Sequence, residues 1–173
     1  MRLQRLIAKC AAASMVGVCG ALLPGCGHCI LYVSSSRSTI NAALDDFHDA
    51  AAKADFNRYF ARWTDQSVFL GTDASERWTG VEFRDFARPH FDTAKGGKGW
   101  TYLPRSRVIT VIDEDQVYFD ELLDHAKLGE CRGSGVLSFE NGRWVVLQYN
   151  LSIPIPNALA EDFAARIKKD AGK

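Results

Sequence analysis

Phe69-Leu70-Gly71-Thr72-Asp73-Ala74-Ser75-Glu76-Arg77-Trp78-Thr79-Gly80 lies between two amphipathic segments and sets polar groups beside aromatic ones. Phe69 and Leu70 read as a strand end, Gly71 to Thr79 as a return, and Asp73 as the residue that turns the chain. Thr79 and Glu82 then form a T-x-x-E capping box, in which hydroxyl and carboxylate satisfy the free amides that open a helix. That helix runs to about Lys95, with Phe83, Phe86, Ala87, His90 and Phe91 on its apolar face and Pro89 kinking it or starting its last turn.

Upstream, a helix begins near Ser38 and carries Ile40, Leu44, Phe47, Ala51 and Ala54 on one face. Asp55 is placed to cap a second helix, in which Phe56, Tyr59, Phe60 and Trp63 follow helical spacing. Downstream of glycines 96, 97 and 99 the pattern changes to strands: Trp100 to Val111, Gln116 to about Ala126, Cys131 to Phe139 and Arg143 to Ile153. Asn141-Gly142 is the strongest turn signal, because a type I′ hairpin needs positive φ at both central positions. Asn157 is placed to cap a last helix carrying Leu159, Phe163 and Ile167. Helices first and a long antiparallel meander after them mean α+β, with a strongly curved sheet wrapped over the helices and glycines 129, 133 and 135 permitting the curvature.

The chain has 173 residues, 47% of them hydrophobic, which supports one core and not two. Its 21 basic and 21 acidic groups balance, but Arg2, Arg5 and Lys9 precede any acid. Without residues 1–25, 18 basic groups face 21 acidic ones, a net of −3 that offers nucleic acid no electrostatic footprint. Those residues have the make-up of a secretory signal: a basic start, an uncharged run from Cys10 to Leu23, and small residues before a cysteine. Leu23-Pro24-Gly25-Cys26 resembles the bacterial lipoprotein processing box, with Pro24 where a small or hydroxylated residue is usual. The resemblance implies a signal peptide over 1–25, a lipidated Cys26, a tether over 26–37 and a domain over 38–173. It also implies a periplasm-facing anchor in the cell envelope, in the outer rather than the inner membrane because Gly27 follows the cysteine. Three readings compete with it: a membrane-spanning helix from Cys10 to Val33, a miscalled start with a cytoplasmic domain, and signal cleavage without lipid. Cys29 and Cys131 are the remaining thiols and make no disulfide framework.

The order of elements, with Phe69 to Asp73, Glu76 to Gly80, Gly99-Trp100-Thr101-Tyr102, Phe119-Asp120-Glu121, Gly129 to Gly135, Asn141 to Trp144 and Tyr149 to Pro154, resembles the SnoaL-like branch of the nuclear transport factor 2-like superfamily. The resemblance covers about residues 38–160. It implies a cone-shaped barrel, a pocket inside the cone and a homodimer through the outer sheet face. The superfamily holds isomerases, cyclases, dehydratases and binding domains, so the fold leaves function open.

Acid/base chemistry in such a cone needs a carboxylate or histidine projecting into apolar surroundings. Asp120 is the candidate base, with Glu121 beside it on the opposite face of the strand. His90 is the second catalytic candidate. Trp63, Trp100, Tyr102, Tyr149 and Arg132 are the candidates for the pocket. Glu76 and Arg77 are expected to pair with sheet residues such as Arg132 or Glu130; alternatively Arg77 or Arg132 receives an anionic ligand. Histidines 28, 48, 90 and 125 form no ligand-spaced pair and no cofactor fingerprint is present, so neither metal nor cofactor is expected. With no recognisable catalytic set, the chain reads as a tethered domain that binds a small, partly apolar ligand or a protein partner. The alternative is an isomerase, cyclase or dehydratase using Asp120 with His90 or Tyr102.

Overall fold

The computed structural model describes residues 37–171. The signal, Cys26 and nearly all of the tether lie outside them. Helix α1 (Arg37–Ala52) buries Ile40, Ala43, Leu44, Phe47, His48, Ala50 and Ala51, the apolar stripe its spacing predicts together with one histidine. Helix α2 (Phe56–Phe60) is capped by Asp55, whose side chain accepts from the Arg58 amide. Asp46 of α1 accepts from Arg58 Nε at 2.7 Å and Arg62 Nη2 at 2.7 Å, which pins the corner between the two helices. The helical spacing that reached Trp63 ends earlier, because Trp63 opens strand β1 (Trp63–Leu70).

The opening stretch is a strand, a return and a cap. Asp73 Oδ1 accepts from the Ser75 amide at 2.8 Å, and the Gly71 amide donates to the Glu76 carbonyl at 2.9 Å. The return enters β2 (Arg77–Thr79), antiparallel to β1. Helix α3 (Gly80–Phe91) follows: Thr79 Oγ1 accepts from the Glu82 amide and Glu82 Oε2 from the Thr79 amide, so both halves of the capping box are present. Pro89 sits in its last turn, and the 3₁₀ turn Thr93–Lys95 carries the chain on.

Four strands make the meander: β3 (Leu103–Val111), β4 (Gln116–His125), β5 (Gly129–Glu140) and β6 (Arg143–Ser152). Asn141 and Gly142, with φ of 51° and 80°, turn β5 into β6 as a type I′ hairpin requires. The order across the curved, open sheet is β2-β1-β6-β5-β4-β3. The meander is antiparallel as expected, and β1 joins it parallel to β6. No hairpin joins these two strands, so no local turn dictates their relative direction; the path through α3 and the meander does.

Bulges bend the sheet between Trp63 and Val68, between Pro104 and Ser106 and between Val136 and Leu137. At the first of them the buried Ser67 hydroxyl accepts from the Thr64 amide and donates to the Val146 carbonyl, supplying bonds the interrupted ladder lacks. Among the three glycines expected to ease curvature, Gly129 takes positive φ, 73°, at the β4–β5 turn. Gly133 and Gly135 act differently, by leaving room on the inner face. The last helix, α4 (Ala160–Ala171), is reached through the 3₁₀ turn Asn157–Leu159, where Asn157 makes no side-chain cap, and Leu159, Phe163 and Ile167 are exposed.

Candidate functional site

Alternation along β4 turns Val117, Phe119, Glu121 and Leu123 inward and Tyr118, Asp120 and Asp124 outward. The carboxylate inside the cone is therefore Glu121, 1% exposed, while Asp120 lies on the exposed face and takes no part in the interior. Opposite Glu121 on β5 stands Gly133, and no side chain there competes for the space. Helix α1 crosses this face and delivers His48, 6% exposed, whose Nε2 lies 2.6 Å from Glu121 Oε1. The Tyr149 hydroxyl, from β6, donates to the same oxygen at 3.3 Å. Arg107 Nε, from β3, donates to Oε2 at 2.9 Å, and its Nη1 reaches Asn41 Oδ1 at 3.0 Å and Asp45 Oδ1 at 2.9 Å.

Burial pushes the Glu121 carboxyl up, but the hydrogen bond and charge of His48, with the charge of Arg107, outweigh it and hold the group below its ordinary value. Glu121 is thus ionised, with both oxygens occupied. Oε1 meets His48 and Tyr149 and Oε2 meets Arg107, so the carboxylate ties three elements together. Burial and then the nearby Glu121 charge raise the Tyr149 phenol well above its ordinary value, so this hydroxyl is a donor that keeps its proton.

Phe47, His48, Ala51, Tyr59, Phe69, Phe83, Tyr149 and Leu151 wall a cavity of about 170 Å³, and Gly71, Thr72, Glu76, Trp78, Phe86, His90, Trp100, Tyr102 and Leu128 complete its lining. Trp100 is drawn in by two backbone bonds: its amide donates to the Ala51 carbonyl at 2.9 Å, and the Gly99 amide donates to the His90 carbonyl at 2.8 Å. A Cβ at Gly99 would overlap the Ala51 carbonyl, and its φ of 63° also favours glycine. Phe69 and Phe83 stack at 4.0 Å between centroids and form the aromatic floor.

Of the side chains singled out from the sequence, His90, Trp100, Tyr102 and Tyr149 line this cavity. His90 is exposed and contacts Phe86 and Trp100 at 5.1 and 5.6 Å, away from the buried pair. Tyr102 stacks on His125 at 4.7 Å, and burial, with smaller effects of Cys131 and Glu76, pushes its phenol up to about 12. Trp63 packs behind the wall, 4.9 Å from Phe83. Arg132 is exposed on β5, opposite Leu122 and Ser152, and Arg77 is exposed on β2. The expected pairing of Glu76 with Arg132 is absent among the described residues: Glu130 pairs with Arg105, and Glu76 accepts from the Asp73 amide at 3.2 Å. His48 and Arg107 were missed. A signal for His48 existed, since it falls four residues after Leu44 and three before Ala51 on the apolar face of α1.

Among the described residues no group of three or more His, Cys, Asp or Glu is placed to hold a metal ion. Nε2 is the donor towards the ionised carboxylate, so Nδ1 is the nitrogen at which the His48 ring can gain or lose a proton. The arrangement can therefore accept a proton and return it.

A family model described as a SnoaL-like domain matches residues 40–156. Solved structures share the fold. An NTF2-like protein from Pseudomonas putida KT2440 is 12% identical with a TM-score of 0.56, over 72% of this chain and 92% of that one. A cystatin-like-fold protein from Nostoc punctiforme is 16% identical with a TM-score of 0.55, over 68% and 90%. A protein from Novosphingobium aromaticivorans described as a candidate scytalone dehydratase is 8% identical with a TM-score of 0.55, over 68% and 83%. At these identities the likeness is one of fold. No curated protein matches the chain in sequence.

Proposed function

The chain belongs to the SnoaL-like domain family, and we propose that it binds a small, largely apolar molecule in its cone and moves a proton on it through His48. One observation carries the reading: His48, buried and 2.6 Å from the carboxylate of Glu121 behind it, lines a largely aromatic cavity. Ionisable groups are costly to bury for stability alone, and a hydrophobic pair of similar volume would serve the core at least as well. At about 170 Å³ the cavity is smaller than the ~300–1,000 Å³ of sites for drug-sized ligands. The substrate class is therefore compact, of one or two rings.

The reaction class is proton abstraction from carbon. His48 takes the proton at Nδ1, Glu121 stabilises the imidazolium, and the proton returns to another carbon in an isomerisation or to a departing hydroxide, leaving as water, in a dehydration. Tyr59, Tyr102 and Tyr149 are the phenols in the lining, all held protonated at neutral pH. A binding domain without catalysis is the simpler form of the same reading.

The test uses 2-tetralone, a compact ketone with exchangeable α-protons. Quenching of Trp78 and Trp100, both in the lining, reports binding, and loss of α-proton signals in D₂O reports abstraction. The expected result is binding with exchange at least ~10²-fold above buffer, lost in His48→Gln while binding persists. Binding without exchange leaves a binding protein, and no binding of any compact apolar probe overturns the proposal.

A further inference from the structure

The cavity lining has one charged feature that the acid/base reading does not use. It includes no lysine or arginine, and its single carboxylate is Glu76. Among the described residues Glu76 has no cationic partner; the only bond to its carboxylate comes from the Asp73 amide at 3.2 Å. The return is shaped to place it, since a Cβ at Gly71 would lie within 2.9 Å of Glu76 Cβ and Cδ. Its charge reaches the Tyr102 hydroxyl across the lining.

Beside this carboxylate the rim is aromatic. Trp78 and Phe86 stack at 4.4 Å with 24° between planes, and Phe86 and Trp100 lie 6.5 Å apart at 20°. Stacking covers one face of Trp78 and leaves the other, and a ring face beside an unpaired carboxylate attracts a cation, most strongly one whose hydration is weak. An alkylated ammonium is such a cation; a metal ion would need several oxygen ligands the rim does not supply. The two arginines considered for an anionic ligand, Arg77 and Arg132, are both outside the lining.

We propose that the ligand of the cone is a tertiary or quaternary ammonium compound whose charged nitrogen rests against Glu76 and the face of Trp78 that Phe86 leaves uncovered, while its apolar body extends towards His48. This rests on the reading of the cone as a small-molecule site and names the substrate class. The carboxylate supplies the charge that a neutral ligand would leave uncompensated in a partly dry rim. The uncovered indole face replaces the weak hydration of the ammonium.

The test is a fluorescence titration of the full chain with benzyltrimethylammonium, its uncharged carbon isostere neopentylbenzene, and phenylacetate as the anion. The ammonium compound is expected to bind at least about tenfold tighter than the isostere, with phenylacetate weakest. Glu76→Gln, which keeps an acceptor for the Asp73 amide, is expected to reduce that preference to threefold or less. Unchanged binding of 2-tetralone by the variant shows that its cone is intact. The inference is overturned if the isostere binds as tightly as the ammonium, or if the preference survives in Glu76→Gln. Should 2-tetralone bind while benzyltrimethylammonium does not, the cation is rejected and the small-molecule cone stands; should neither bind, both readings fail.

Discussion

Gly133→Ala tests the inner architecture of the site with one methyl group. Gly133 faces the cone on β5 between Glu121 of β4 and Leu151 of β6. A Cβ there would overlap the Tyr149 hydroxyl and lie 2.9 Å from Tyr149 Cζ and 3.0 Å from Glu121 Oε1. Ordinary contacts begin near ~3.5 Å, so the ring must retreat by about 1 Å. Phe47, Phe69 and Phe119 already pack around it, with centroids at 5.3, 6.3 and 6.0 Å, and the space left is the cavity itself. Moving there breaks the bond to Glu121. Overpacking at ~1–3 kcal/mol and a lost hydrogen bond to a charged group at ~1.5–3 kcal/mol put the expected cost at about 3 kcal/mol.

The assay is urea denaturation in a double-mutant cycle with Tyr149→Phe. Removing the hydroxyl alone is expected to cost about 1.5 kcal/mol, through the lost bond. In the double variant the new methyl enters the space the hydroxyl left, so the combined cost should fall short of the sum by at least ~1 kcal/mol. The slope with urea should be unchanged, as for a change in stability alone. Additivity within ~0.5 kcal/mol would refute the argument that Gly133 is there to seat the Tyr149 hydroxyl against Glu121.

Three further outcomes are expected. The folded Glu121 carboxyl titrates below its unfolded value, so its contribution is present above about pH 4.5 and is lost as pH falls through the folded value; wild type should lose stability more steeply there than Glu121→Gln, and equal slopes would count against the pairing. Cys26, which we propose as the lipid anchor, should incorporate labelled palmitate in a bacterial host, and Cys26→Ala should abolish it; label persisting in the variant would remove the tether. The homodimer is proposed through the outer sheet face, where Val108 and Tyr118 are exposed. Light scattering should give twice the monomer mass and Val108→Glu the monomer, whereas a monomeric wild type would exclude it.

Much of this fold is written locally. The T-x-x-E box names the start of α3, since a capping hydroxyl and its returning carboxylate are three residues apart wherever they occur. Asn141-Gly142 names the β5–β6 hairpin, because its positive φ values suit few other residues. Even the inward carboxylate could be found: Val117, Phe119 and Leu123 share the parity of Glu121, whereas the apolar neighbours Tyr118 and Leu122 obscured it. Over the length of the strand that alternation puts Asp120 outside.

By itself the sequence determined the helices, the four strands of the meander, the tightest turn and the α+β class, all of which depend on patterns a few residues long. Only the tertiary structure decided that β1 lies parallel beside β6, that His48 meets Glu121 across 73 residues, and that Glu76 faces an aromatic rim instead of an arginine. Local periodicity says which face of an element a side chain occupies. What it meets there is set by strand order, bulged register and the crossing of α1 over the sheet, which many distant contacts determine together.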